Sequence, residues 1–194
     1  MTVENTKKIL LKEENQKLKN FEIAIDENVN IYRRIDSIAL IEDRDLLIKL
    51  YKECNNLYIK KEIIVTSRLE EIYELALKEK EMALRLEAIK AIHNKMKLRE
   101  EAENDDNYLV RIAAVKKISD PHVLQKIIIY DDQTEVKKTA LNQIKSISLL
   151  EALKEYASSD TVKYIDDRIN VITGSEDYLK KSIEKMITTY SEGM

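Results

Sequence analysis

Hydrophobic positions recur along this chain at a step of 26 residues. The clearest column runs through Tyr32, Tyr58, Leu84, Val110, Val136 and Val162. Two more columns keep the same step: Leu46, Ile72, Leu98, Leu124 and Leu150, and then Leu40, Thr66, Ile92, Ile118, Ile144 and Asn170. One such column can arise by chance in a chain that is 44% hydrophobic, but several in one register indicate an internal repeat.

The best copies predict that each repeat is a pair of α-helices. Apolar residues from Val110 to Ile118 follow helical spacing, which indicates a first helix. Asp120 and Pro121 then suit the N-cap and the first turn of a second helix, which carries apolar residues on one face as far as Ile128. Each pair is too short to bury its apolar face alone, so we expect neighbouring pairs to stack.

Both ends of the chain depart from the repeat. We predict a single repeat domain over residues 1–194, in which residues 1–27 form an N-terminal capping helix, residues 28–173 the repeats, and residues 174–194 a C-terminal capping helix. Gly174 and Ser175 are typical of a helix stop followed by a new N-cap. Terminal repeats have one neighbour instead of two, which explains why the end copies are more polar.

Composition supports this interpretation and excludes several classes of protein. Two glycines and one proline in 194 residues favour helices with short connections over a sheet protein with many turns. The net charge of −3, with acidic and basic residues interspersed, argues against a dedicated nucleic-acid module. No apolar run approaches the roughly 20 residues that span a bilayer, and the start of the chain is unlike a secretory signal, so we expect a cytoplasmic protein without a membrane span. Cys54 is the only cysteine, so we expect no internal disulfide and a small, buried thiol.

Two copies of one motif resemble the HEAT-like repeat family, especially its short form, the repeat of the PBS-lyase type. They are Asp106-x-x-x-Val110-Arg111-x-x-Ala114-Val115 and Asp132-x-x-x-Val136-Lys137-x-x-Ala140-Leu141. The resemblance covers residues 28–173 and is strongest over residues 84–157. It implies an all-α, right-handed α-solenoid of about five to six helix pairs.

The resemblance also implies a ladder of charged pairs along the array. A basic residue follows the apolar column in five copies: Arg33, Arg85, Arg111, Lys137 and Lys163. Ile59 interrupts this series in the second copy. In the family, this basic position faces an acidic residue near the start of a helix pair. We therefore expect Arg111 and Lys137 to pair with acidic residues such as Asp106 and Asp132.

The residues that could carry chemistry are better explained as structural. His93 and His122 fall near predicted helix–helix turns and lack the spacing of a metal site. The carboxylate pairs at residues 105–106 and 131–132 recur at the repeat step and are expected to cap helices. Asp166 and Asp167 are less regular, so for them a functional role stays open beside a terminal cap. With two glycines in the chain there is no phosphate-binding loop, and we predict no catalytic residue, no metal and no cofactor.

The leading functional hypothesis is a non-catalytic protein-interaction scaffold. HEAT-like arrays usually expose the second helix of each pair, and on this hypothesis Gln125, Lys126, Tyr130 and Tyr156 lie on or near the binding surface. The partner is then another protein of unknown identity, and the chain itself is a monomer or a weak homo-oligomer.

Two alternatives belong to other functional classes. One is nucleic-acid binding, since alkylpurine DNA glycosylases share the HEAT-like fold, although they are basic and use tryptophan, which this chain lacks. The other is an accessory lyase, since short HEAT-like repeats also occur in proteins that attach bilin chromophores. No nucleophile or metal set in the sequence favours that second alternative.

Overall fold

The computed structural model describes residues 3–174 together with residues 180 and 183, and its regular structure there is entirely helical. Twelve helices lie in this described part of the chain. They are α1 (Val3–Ile25), α2 (Ile31–Ile38), α3 (Arg44–Glu53), α4 (Leu57–Ser67), α5 (Glu70–Ala76), α6 (Met82–Ala91), α7 (Lys95–Asn104), α8 (Tyr108–Val115), α9 (Pro121–Tyr130), α10 (Thr134–Gln143), α11 (Ile147–Leu153) and α12 (Ser159–Thr173). The prediction of an all-α protein is confirmed.

The helices form two compact units, unit 1 (Met1–His93) and unit 2 (Asn94–Met194). Within unit 1, α1 packs on α2 and α3, α2 packs on α4, α3 packs on α4 and α5, α4 packs on α5 and α6, and α5 packs on α6. Within unit 2, α7 packs on α8 and α9, while α8 and α9 both pack on α10, and α10 and α11 both pack on α12. Contacts between sequential helices and between alternate helices are those expected of a helical repeat arrangement.

The N-caps show that the basic module is one helix and its turn. The first four N-caps, Asn30, Asp43, Asn56 and Leu69, lie 13 residues apart. The same step separates the N-caps Asn94, Asn107, Asp120, Gln133 and Ser146. Most of these caps are Asn, Asp or Ser side chains that accept a hydrogen bond from an amide of the first turn, which satisfies a group that the helix leaves unpaired. Two modules make the 26-residue repeat.

Within each module the core positions are set by their distance from the N-cap. Side chains four, seven and eight residues after it are buried in most helices, as are many at the eleventh position. In α8 these positions are Arg111, Ala114, Val115 and Ile118. This spacing covers one helix face and continues into the turn, so every module presents a narrow buried stripe. The predicted turn between α8 and α9 is confirmed, since Asp120 caps α9 and Pro121 is its first residue.

The predicted apolar column is wrong in its first two copies, and its last member, Val162, is only half-buried, four residues after its N-cap. Tyr32 is 75% exposed and Tyr58 is 69% exposed, whereas Val110 and Val136 are fully buried. Both tyrosines lie two residues after their N-caps, and the valines lie three residues after theirs. The first two copies are therefore displaced by one residue from the register that the later copies follow.

The displacement arises at the end of α5. The N-caps Leu69 and Glu81 are separated by 12 residues instead of 13, because α5 is only seven residues long. A missing residue at this point shifts every earlier position against a strict 26-residue count. The buried residues of the first copies are accordingly Arg34, Ile38 and Ile41, which follow the Asn30 cap with the usual spacing.

The structure describes the predicted N-terminal end of the repeat and only the start of the predicted C-terminal end. The segment predicted as an N-terminal cap contains the long helix α1, which packs on α2 and α3. The predicted helix stop at Gly174 is confirmed, because this residue closes α12 with a φ of 65°. The C-terminal capping helix predicted over residues 174–194 falls almost entirely outside the described residues. No helix in the described part of the chain is long and apolar enough to cross a membrane.

Candidate binding surfaces

The side chain four residues after the N-cap is basic in α2, α4, α6, α8 and α10, and we call Arg34, Lys60, Arg85, Arg111 and Lys137 the basic column. Arg111 shows its geometry most fully. Its Nε and Nη2 atoms donate to the Asp131 carboxylate over 2.9 and 3.0 Å, and Nη2 also donates to Asp132 over 2.7 Å. Its Nη1 atom donates to the carbonyl of Asp105 over 2.9 Å. The hydrogen bond from Arg111 to Asp131 keeps the pKa of the guanidinium above its ordinary value.

The main acidic partner of Arg111 thus differs from the predicted one. Asp131, which is 5% exposed as a side chain, takes the two-point contact with Arg111, and the predicted Asp132 adds a contact from a position that is 78% exposed. Asp106 is exposed, and Lys137 donates to the Ile129 carbonyl over 3.4 Å. Sequence reasoning missed Asp131 because its relevance depends on the packing of α8 beside the end of α9.

The shift of register also changes the basic column in unit 1. Arg33 is exposed, and the buried Arg34 takes the place that was predicted for it. Ile59 does not interrupt the column, since Lys60 is the equivalent residue and pairs with Glu79 over 2.6 Å. The Lys60 ammonium also lies 4.9 Å from the centre of the Tyr51 ring, and burial, followed by the nearby Glu79, raises the pKa of Tyr51. At the other end, Lys163 is exposed and pairs with Asp160 of its own helix.

The aspartates that precede α8 and α10 do not cap these helices as predicted. The N-cap of α8 is Asn107, whose side chain accepts from the Leu109 amide, and the N-cap of α10 is Gln133, which makes no side-chain cap bond. Asp105 and Asp131 instead end the preceding helices. Each accepts a bond from the amide two residues later, over 2.8 Å, and so holds the turn.

Two of the four predicted binding residues lie on the middle of α9. Gln125 is half-buried, and Lys126 forms an ion pair with Glu103 of α7. Burial alone would raise the pKa of Glu103, but hydrogen bonds from Lys126 and Arg99 outweigh it and hold that pKa below its ordinary value of 4.5. Lys126 therefore connects two second helices.

The other two predicted binding residues are strongly exposed aromatic side chains. Tyr130 is the last residue of α9 and is 75% exposed. Tyr156 is 66% exposed and lies in the turn after α11, three residues beyond the helix in which it was expected. Tyr32 and Tyr58 in unit 1 form a second pair with the same 26-residue separation and a similar exposure. The register error concealed this second pair, which the sequence analysis placed in the core.

The residues weighed for chemistry are dispersed. His93 and His122 are both exposed, and no group of three metal-ligating side chains occurs among the residues that the structure describes. Lys154 donates a hydrogen bond to Asp166 over 2.6 Å, and this bond, with a second to Glu151, raises the pKa of Lys154. Asp167 lines a shallow cavity of about 160 Å³ beside Arg168.

Cys54 is buried at the end of α3, as predicted for a small hydrophobic residue. Its Sγ atom lies 3.7 Å from the Nη2 atom of Arg34, which donates a weak hydrogen bond to it. This contact was not foreseen. It places the cysteine beside the first member of the basic column.

No protein-family model, curated protein or solved structure matches this chain. The protein is all-helical, and its helices pack in sequential pairs.

Proposed function

We propose that this protein is a non-catalytic interaction scaffold that binds another protein through exposed tyrosines at repeating positions. In this proposal its helix pairs are HEAT-like and stack as a right-handed α-solenoid. The 13-residue module, the basic column and the small buried residues Ala88, Ala114 and Ala140 support a repeat of that kind.

The observation that carries the proposal is the exposure of Tyr130 and Tyr156. They occupy comparable places at the ends of α9 and α11, and they are 75% and 66% exposed. Tyrosine is enriched in protein interfaces because it buries a large apolar ring at a low entropic cost and keeps a hydroxyl for hydrogen bonding. An exposed position of this kind does not require an aromatic side chain to stabilise the fold.

The surroundings of the tyrosines also favour a protein partner. Lys126, one turn before Tyr130, is neutralised by Glu103, which reduces its value for binding a phosphate backbone. A mixed surface of aromatic residues and paired charges is typical of a protein–protein interface.

Photo-crosslinking tests the proposal directly. Benzoylphenylalanine replaces Tyr130, the protein is irradiated in cells, and adducts are separated by mass. We expect a discrete adduct that protease removes and nuclease leaves intact. The same residue placed at Lys163, an equally exposed site on α12, serves as the positional control.

A second variant connects the adduct to the tyrosines. In the crosslinking protein, Tyr156→Ser should reduce the adduct at least about tenfold, because interface tyrosines often carry more than 1.4 kcal/mol of binding energy. Asp160→Asn is the matched control and should leave it unchanged. A nuclease-sensitive adduct, or none at Tyr130 beyond that at Lys163, contradicts the proposal.

A further inference from the structure

A groove of about 680 Å³ lies in unit 1 at the start of α2 and α4. Tyr32 and Tyr58 flank it, and Arg34 contributes to its lining although only 3% of that residue is exposed. The Nε atom of Arg34 donates to the Ala24 carbonyl over 2.9 Å, and Nη2 donates to the Ile25 carbonyl over 3.5 Å. Within the described part of the chain, Nη1 has no hydrogen-bond partner and no carboxylate contacts the guanidinium.

Arg34 differs in this respect from Arg111 and Lys60 of the basic column, whereas Lys137 donates to a backbone carbonyl. Arg111 pairs with Asp131, which lies 20 residues later, and Lys60 pairs with Glu79, which lies 19 residues later across the shortened module. The residue 20 positions after Arg34 is Cys54, whose thiol makes the only contact from that place. The first copy therefore holds a buried guanidinium for which the described residues supply no acidic partner.

The backbone around Cys54 is suited to the missing carboxylate. Cys54 ends α3 at φ −80° and ψ 131°, and Asp131 ends α9 at φ −63° and ψ 141°. Both residues are the C-caps of second helices and both lie beside a basic-column arginine. An aspartate at residue 54 is thus compatible with the local geometry, and the first copy has a thiol where the fourth has the Asp131 carboxylate.

Two electrostatic features besides Arg34 act on an anion in the groove, and they have opposite effects. The first turns of α2 and α4 line it, and the positive ends of these helices favour an anion. Glu27 also lines the groove, is exposed and disfavours an anion through its charge. The guanidinium is the more deeply buried of the two charges, so solvent screens its attraction for a bound anion less than it screens the repulsion from Glu27.

We propose that this groove binds a carboxylate side chain of an acidic protein segment, with Arg34 as the charged contact and Tyr32 and Tyr58 packing on the apolar part of that segment. The bound carboxylate accepts from Nη1 of Arg34 and supplies the negative charge that Asp131 supplies to Arg111. This inference rests on the proposed scaffold function and names the chemistry of one partner segment. Peptide is favoured over phosphate because two exposed aromatic rings flank a single buried guanidinium.

Fluorescence anisotropy with defined peptides tests the inference on the full-length chain. The probe is a fluorescein-labelled pentapeptide of alternating glutamate and leucine, and its control has glutamine in place of glutamate. We expect the glutamate peptide to bind at least about tenfold more tightly, since the charge-assisted contact to Arg34 needs a carboxylate. Inorganic phosphate and a single-stranded oligonucleotide are tested as competitors.

Cys54→Asp is the decisive variant. It supplies Arg34 with an internal carboxylate, so it should weaken binding of the glutamate peptide at least about tenfold and raise the midpoint of thermal unfolding by about 2 °C or more. Cys54→Ser, which adds no charge, should change neither property by a comparable amount. Glu27→Gln removes a repelling charge and should tighten peptide binding about threefold.

The outcomes separate this inference from the scaffold proposal. Equal binding of the two peptides overturns it, as does a Cys54→Asp variant that binds like the native protein. Binding of phosphate or oligonucleotide in preference to the glutamate peptide overturns the assignment to a protein segment. If any of these results occurs while the Tyr130 adduct still forms, only the groove assignment fails, whereas loss of the adduct contradicts the scaffold itself.

Discussion

Glu103 shows how a single side chain connects two helices of unit 2. It lies on α7 with 10% of its side chain exposed, and it accepts hydrogen bonds from Arg99 of the same helix and Lys126 of α9. These two cations keep the pKa of Glu103 below 4.5 although its burial acts in the opposite direction. A carboxylate whose pKa is lowered on folding contributes stability that is present only while it is ionised.

The Glu103→Gln variant should therefore lose stability in a pH-dependent way. Above about pH 5 the native carboxylate is charged in both states, and we expect the variant to be less stable by about 1 kcal/mol. As the pH falls through the lowered pKa, Glu103 becomes protonated in the folded state and the difference in stability shrinks. Urea unfolding of both proteins at pH 7 and pH 3 measures this difference in the free energy of unfolding. Glu135→Gln, in an exposed pair with Lys138, is the control, and an equal loss at both pH values would refute this role of Glu103.

The end of α4 shows how one helix departs from the common module. Arg68 closes this helix with φ 51° and ψ 32°, and it is the one non-glycine residue with a positive φ in the described part of the chain. A side chain in the left-handed region clashes with its own backbone, which costs about 1–2 kcal/mol. At the end of α12 the same conformation is occupied by Gly174, for which the cost is absent.

Replacement of Arg68 by glycine should stabilise unit 1. The strain energy that glycine relieves at this position exceeds the entropic cost of ordering glycine on folding. We therefore expect a net gain of about 0.5 kcal/mol in the free energy of unfolding, or roughly 1–2 °C in the unfolding midpoint. Differential scanning calorimetry measures the shift. Arg68→Ala removes the same side chain but keeps the strain, so it should give no such gain. A loss of stability with glycine would mean that the contacts of the Arg68 side chain stabilise the protein by more than the left-handed conformation costs.

At the scale of the whole molecule, charge distribution bears on the class of partner. The chain has 33 basic and 36 acidic residues, and many of the described cations already pair with a carboxylate of the protein. Binding to duplex DNA gains its energy from cations that release counterions from phosphates. Paired cations contribute little to that release, so we expect little binding to nucleic acid.

We expect the protein to leave labelled duplex DNA unbound even at low ionic strength. The measurement is a fluorescence anisotropy titration at about 20 mM salt, where a protein with several phosphate contacts binds most strongly. A basic DNA-binding domain of similar mass serves as the positive control. Binding that weakens steeply as salt is added would support the nucleic-acid alternative over the scaffold.

Local features account for most of what could be predicted about the fold. The helical class follows from the spacing of apolar residues and the scarcity of glycine and proline, and Asp120 and Pro121 mark a helix start by their own chemistry. The candidate site was harder to predict. Tyr130 and Tyr156 could be named because their copies follow the regular step, whereas Tyr32 and Tyr58 were assigned to the core because one missing residue shifts their register.

The sequence by itself determined the helices, their caps and the buried stripe of the later copies, because each of these depends on residues within about one helical turn of one another. Only the tertiary structure decided which charges meet. Arg111 reaches the carboxylate of Asp131, and Arg34 reaches the thiol of Cys54 at the corresponding place. These partners are about 20 residues apart, and their contact depends on how successive helices pack, which the spacing of apolar residues does not specify.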